Sequence, residues 1–270
     1  MLSRPSKKSI TTVLLLSATL LVASSPAMLC QAQDQDSLRI LSYNIHHGEG
    51  TDRRLDLDRI AAVISKCKAD IVALQEVDQN AKRSNSIAQA QYLADKLNMR
   101  FAFGANIALQ GGHYGNAVLS RFEILKSENH LLPNLNNGEQ RGVLISKIAI
   151  PGKDQPVTLL ATHFDHRREG QERLLSAKAI NRLIVDKSKL MILAGDLNTS
   201  RASKPLIELE KHWQHVSANE LPTVPVSKPT RQIDFILFRP ASACKVISNE
   251  VLSEQIASDH RAILTVLELQ

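Results

Sequence analysis

Cysteine is scarce in this chain, with three in 270 residues. None forms a CxxC pair, and no Cys/His cluster has zinc-finger spacing, which excludes a structural zinc module. Aromatic residues make up only 4%, so the chain lacks the repeated stacking platforms of a nucleic-acid enzyme. No Gly- or Pro-rich linker divides it into halves. No internal repeat or low-complexity tract occurs. The apolar fraction of 43% and charged fraction of 22% are those of an ordinary globular protein. The longest apolar run, Thr12 to Ala23, is too short to span a bilayer comfortably.

That run belongs to a distinct leader. Arg4, Lys7 and Lys8 precede it and small residues follow, offering cleavage after Ala27 or Ala32. The expected organisation is a signal peptide over residues 1–32 and a single domain over residues 33–270. Export to the periplasm or the cell exterior follows, with membrane association through an uncleaved N-terminus as the alternative. A lipoprotein reading is disfavoured, because Leu29 stands where a small residue should precede Cys30. Three of the 33 Lys and Arg lie in the leader. The remaining 30 face 27 Asp and Glu, and the net charge falls from +6 to +3. Cys67 and Cys244 would then remain. They pair only if the fold brings them together, and are otherwise two buried thiols.

From residue 37 the chain alternates short apolar runs with a few amphipathic segments. Strands are expected at 38–43, 70–74, 101–109, 115–119, 123–131, 143–150, 157–162, 190–194, 233–238, 245–252 and 262–267. Helices are expected after Asp56, with Ile60, Val63, Ile64 and Cys67 on one face, and over 84–98, 171–185 and 203–213. The segment 133–140 reads as an exposed polar loop, and 211–230 as a long loop near the site. So many strands, with helices to cover them, predict an α/β domain of two packed sheets with helices outside.

Four polar blocks adjoin these strands: Ser42-Tyr43-Asn44, Leu74-Gln75-Glu76, Gly195-Asp196-Leu197-Asn198 and Ser258-Asp259-His260. They supply the oxygen ligands and the cationic donor that a hard divalent cation and a phosphate require. Several stand at the C-terminal ends of strands, the edge where layered α/β folds bind ligands.

Taken in order with Tyr114-Gly-Asn-Ala-Val-Leu-Ser-Arg121, Thr162-His163 and Gln232-Ile-Asp234, the blocks resemble the endonuclease/exonuclease/phosphatase superfamily from about residue 37 to 268. The resemblance implies a four-layer α-β-β-α sandwich of two mixed sheets. It also implies metal-dependent cleavage of phosphate esters, with Mg²⁺ as the cofactor and Mn²⁺ as the alternative cation. Glu76, with no evident cationic partner in sequence, is the foremost metal ligand. Asn44 and Asp259 share or support that site. Asp196 orients or deprotonates the attacking water, and Asn198 holds water or phosphate. His260 pairs with Asp234, which favours the imidazolium facing phosphate, and His163 is a second phosphate donor. Arg141, Tyr114 and Asn116 are implied substrate contacts. Asp165 and His166 read as supporting or substrate-specific residues.

Some features stay open. His46, His47 and Glu49 form either a transition-metal site or a rim loop. Arg167-Arg168 and Lys82-Arg83 either grip a polyanion or are solvated. The implied substrate is a phosphate ester: nucleic acid, phospholipid or small phosphodiester. The expectation is a phosphodiesterase, with extracellular nuclease and lipid or inositol-phosphate phosphoesterase as alternatives. A noncatalytic phosphate-binding module is the remote one. No obligate protein partner is expected, and the expected state is a monomer.

Overall fold

The computed structural model describes residues 1–3, 37–184 and 188–270. The leader from Arg4 onward, Cys30 included, lies outside the described residues, as does Val185 at the expected end of a helix.

Period-two alternation builds the layers. In β1 (Ser37–Asn44), Leu38 and Ile40 enter the central core, while Leu41 and Tyr43 face a helical layer. In β2 (Ile71–Gln79), Ile71 and Ala73 face inward, and Val72 and Leu74 outward. The same rule holds in β7 (Val157–His163) and β8 (Met191–Asp196). There Leu159, Ala161, Ile192 and Ala194 meet the first sheet's core face, and Leu160 and Leu193 face outward. Both faces of these strands are apolar, so both must be covered.

Among the described residues, twelve strands form two sheets of six. The first runs β11 (Cys244–Val251), β12 (Ile263–Leu269), β1, β2, β4 (Gly112–Ser120), β3 (Arg100–Leu109). The second runs β5 (Ile124–Leu131), β6 (Gly142–Ile148), β7, β8, β10 (Asp234–Arg239), β9 (Gln214–His215). The pairs β1/β2 and β7/β8 are parallel and the rest antiparallel. Helices α1 (Leu57–Cys67) and α2 (Gln89–Leu97) cover the first sheet. The second is covered by α3 (Gln171–Arg182) and α4 (Lys204–Glu210). The architecture is the expected four-layer α-β-β-α sandwich.

All eleven expected strands form, and the twelfth, β9, has two residues and too little length for a period. Asp56 caps α1, accepting the Arg59 N–H at 2.9 Å. Two expectations are corrected. The helix expected over 84–98 begins only at Gln89, because Asn85 and Ser86 take left-handed backbone (φ 58° and 57°) and break it. The strand expected to stop at Leu74 continues to Gln79 through a bulge. Cys67 and Cys244 are free and buried in different layers, Cys67 at the end of α1 on its buried face and Cys244 in the central core. Among the described residues, no helix is long and apolar enough to cross a membrane.

One glycine fixes the spacing of the two strands that meet the site. A Cβ on Gly195 would lie 1.9 Å from the Thr162 carbonyl oxygen across the β7/β8 ladder. Gly195→Ala must push these strands apart, and overpacking typically costs ~1–3 kcal/mol. A urea titration should show a lower midpoint, and an unchanged midpoint would contradict this packing.

Candidate active site

The strand register places the polar residues. His163, Asp196 and Asp234 are neighbours across β7, β8 and β10 at one edge of the second sheet. Asn44 ends the adjacent strand of the first sheet, and the two sheets meet there: Asn44 Nδ2 donates to Glu76 Oε1 at 2.9 Å and to Asp196 Oδ2 at 3.2 Å. The amide's orientation is fixed, because its oxygen accepts the His46 N–H at 3.0 Å. Asn44 therefore turns its nitrogen, not an oxygen, to the carboxylates. It is expected from sequence as a first or second contact to the ion, and the structure gives it the supporting position.

Glu76 reaches the site by backbone geometry. Between Leu74 and Val77 the β2/β4 register slips, and Glu76 sits in the bulge with φ 60°. A bulge re-aims one side chain out of the alternation. Glu76 is half-buried and holds one hydrogen bond, from Asn44. Arg83 lines the same cleft but is committed to Asp78 through two contacts of 2.8 Å. The Glu76 charge thus lacks a protein cation.

His260 Nδ1 lies 2.9 Å from Asp234 Oδ2, which also accepts the Thr223 hydroxyl. Burial alone would strip the proton from His260. The charge of Asp234 and its hydrogen bond outweigh burial, Asp196 adds to them, and the imidazole is pushed up to about 10. Asp196 Oδ2 lies 3.7 Å from His260 Nε2. Burial, then the Asp234 charge, push the Asp196 carboxyl above its ordinary range, partly offset by His260. Asn198, in left-handed backbone (φ 46°), gives its N–H to Asp196 Oδ1 at 2.9 Å. Its amide nitrogen lies 3.0 Å from His163 Nε2.

His163 differs from His260. Burial and the Arg141 guanidinium, 2.9 Å from its Nδ1, hold it well below the usual range, so it stays neutral. Arg141 also spans to His166 Nδ1 at 3.1 Å and forms an ion pair with Glu139 at 2.8 Å. The loop 133–140, read from sequence as merely exposed, thus reaches the site through Glu139. Burial and Glu76 push the Tyr114 phenol up, so it remains a protonated donor, and Arg83 stacks 5.2 Å from its ring centre.

These residues line a cleft of about 370 Å³ that holds Glu76, Asp196, Asn198, Asp259, His163 and His260, with Arg141 and Tyr114 on its wall. Asn44 and Asp234 stand behind that wall. Asn116, expected as a substrate contact, does not line the cleft. It is buried, and its amide donates to the Gly142 carbonyl at 3.0 Å, tying one sheet to the other. Asp165 is buried against Arg167 at 2.9 Å. That arginine is therefore structural, and His166 alone of the pair reaches the cleft.

Sequence reasoning missed Thr223 and Ser258 as partners. Ser258 Oγ donates to the Asn44 carbonyl at 2.7 Å, joining the C-terminal block to β1. Thr223 sits in an aperiodic loop, where no local pattern announces its contact with Asp234. Ile107, Leu109 and Arg83 also line the cleft from segments read only as strand or solvated charge.

Among the described residues, two groups of side chains come close enough to hold an ion: His46, His47 and Glu76, and Asp196, Asp234 and His260. In the second, the proton that Asp234 holds on His260 removes an imidazole lone pair. That group is better suited to acid–base work than to ligation.

A four-layer sandwich with carboxylates, a neutral and a charged imidazole converging where its sheets meet defines a phosphoesterase architecture. The sequence profile of the Endonuclease/Exonuclease/phosphatase family matches residues 41–260, and the chain belongs to that family. Its enzymes are metal-dependent phosphoesterases, and this chain is an enzyme of that type. It is 29% identical over 250 residues to the uncharacterized protein YbhP of Escherichia coli K12, spanning 87% of this chain and 98% of that protein. It is similar to the endonuclease/exonuclease/phosphatase structure from Beutenbergia cavernae (TM-score 0.72, 26% identity, 87% of this chain and 72% of that one). It shares the fold of the Bacteroides thetaiotaomicron mannosyl-6-phosphatase Bt3783 (TM-score 0.69, 18% identity, 85% of this chain and 99% of that one).

Proposed function

We propose that this chain is an exported, Mg²⁺-dependent phosphodiesterase that cleaves by in-line attack of water on phosphorus. The observation that carries the reading is the placing of a carboxylate, Asp196, 3.7 Å across one cleft from an imidazole, His260, whose other nitrogen is held 2.9 Å from Asp234. Asp196 is the general base: its raised affinity for a proton suits it to take one from water. Asn44 and the Asn198 N–H orient its two oxygens. His260, held cationic by Asp234, stabilises charge gathering on the phosphoryl oxygens. Asn198 and the neutral His163 hold the same group, and Tyr114 and Arg141 bind substrate from the wall.

The donor set suits a divalent cation. Glu76 offers a carboxylate without a protein counter-ion, and Asp259 lines the same cleft, so these two would hold it. A bound Mg²⁺ would polarise the phosphoryl group and offset charge on the leaving oxygen.

The cleft's charges favour a diester. Arg83 is paired with Asp78, Arg141 with Glu139 and His260 with Asp234, so each of these cations is already offset by a carboxylate, which suits a monoanionic phosphate better than a dianionic one. Tyr114 is the one Phe, Tyr or Trp side chain among the cleft's lining residues, and Arg83 covers its ring, so a run of bases finds no large stacking platform there. A lipid or small phosphodiester fits better than a nucleic acid.

With Mg²⁺, a panel of bis(p-nitrophenyl) phosphate, phospholipid, inositol phosphate, plasmid, single-stranded DNA and RNA should show fastest turnover on a non-nucleic diester. Fastest turnover on DNA or RNA would overturn the substrate class. Export is proposed from Arg4, Lys7, Lys8 and the apolar run behind them. Protein recovered from its native host should lack about 27 to 32 residues by intact mass, and a full-length membrane-embedded chain would contradict cleavage.

A further inference from the structure

We propose that His46, His47 and Glu76 form a binding site for a first-row transition dication of the Mn²⁺–Zn²⁺ class at the rim of the cleft. One ligand atom from each of the three lies within 4.8 Å of the others. Ligands about 2.1 Å from a tetrahedral ion stand roughly 3.4 Å apart, so small side-chain rotations close the set. Glu76 is shared with the proposed Mg²⁺ site, and in that residue the inference rests on the functional reading.

Three observations support the site. First, His46 Nδ1 faces the Glu49 carbonyl at 3.1 Å. A carbonyl only accepts, so Nδ1 carries a proton, and Nε2 is the ring nitrogen outside this contact. A backbone carbonyl behind the ring is the arrangement that orients metal-bound histidines. Second, His47 Nδ1 is buried with no hydrogen-bond partner, a cost that a ligand would remove. Third, His46, His47 and Glu76 all hold left-handed backbone, with φ of 46°, 44° and 60°. Non-glycine residues adopt it rarely, and such strain gathers at ligand clamps.

The surroundings hold the pair in place. The Asn44 side chain fixes the His46 N–H. Buried Gln89 donates to the His47 carbonyl at 2.6 Å while accepting from the Asp78 N–H at 2.9 Å. The histidine turn is thereby tied to β2 just past the bulge that carries Glu76. Two imidazoles and one carboxylate suit borderline ions, whereas Mg²⁺ prefers oxygen alone.

The test uses the untagged full chain, stripped of metal and titrated with Co²⁺ in excess Mg²⁺. Metal content and the visible d–d absorption are read, so no substrate is needed. One Co²⁺ per chain should be retained. His46→Asn and His47→Asn should each weaken retention by at least ~10–100-fold, the loss typical of even an outer-shell partner. Asn tolerates left-handed backbone, and near-UV circular dichroism checks the fold. X-ray absorption of the Co²⁺-loaded wild type gives a second reading, with imidazole scattering expected. Failure of the folded wild type to retain Co²⁺, an oxygen-only shell, or equal affinity in the folded double variant would overturn the site. Retention in a chain that hydrolyses no phosphate ester supports the site and overturns the functional reading instead.

Discussion

Glu76→Gln should lower turnover by about 10³-fold or more, roughly 4 kcal/mol of lost transition-state stabilisation, with the fold intact. The substitution keeps size and shape and removes the charge. Little structure depends on that charge: Glu76 is half-buried and accepts one hydrogen bond, which a Gln oxygen can still accept from Asn44. The bulge is set by the β2/β4 register and persists. Steady-state kinetics over a range of Mg²⁺, with circular dichroism as control, checks this. A variant with wild-type turnover at ordinary Mg²⁺ would remove Glu76 from the mechanism.

Asp196→Asn and His260→Ala carry the second large effect. Loss of a positioned base typically costs ~10²–10⁴-fold, and loss of a charge-stabilising donor ~10²–10³-fold. Both should fall on kcat far more than on KM, because the interactions strengthen in the transition state. The double variant should lose less than the product of the single losses. The two side chains lie 3.7 Å apart and serve one step. Full multiplicativity would place them in separate steps, and near wild-type kcat in either single variant would refute its role.

The central strands were legible because both their faces are buried. Ile40 and Leu41, or Leu159 and Leu160, leave apolar runs that end at polar residues. Two of the polar blocks were legible as strand ends, at Asn44 and Asp196, and the Ser258–His260 block as the approach to β12, whereas the Glu76 block lies inside β2. The bulge at Glu76 was not, because one slipped residue leaves no compositional trace. The break at Asn85 and Ser86 was hidden by the helical spacing of Ile87, Ala90, Ala94 and Leu97 across it. Ile87 packs against the same layer from outside the helix.

Within the site, the Asp234–His260 pair was read correctly as a pair. The distinction between the two histidines was not readable, because it comes from contacts distant in sequence. Asp234 lies 26 residues from His260, and Arg141 lies 22 from His163. The same two-ring chemistry gives a cation in one place and a neutral imidazole in the other. Asn116 misled for a related reason: its block matches a site motif, yet its amide is spent on Gly142 between the sheets.

The central claim is metal-dependent attack of water on phosphorus in this cleft. Hydrolysis of bis(p-nitrophenyl) phosphate in heavy-oxygen water, with Mg²⁺ and again with EDTA, tests it most directly. The account predicts one heavy oxygen in the phosphate monoester, none in the phenol, and no turnover in EDTA until Mg²⁺ is restored. Label in the phenol, or equal turnover in chelator, would contradict it.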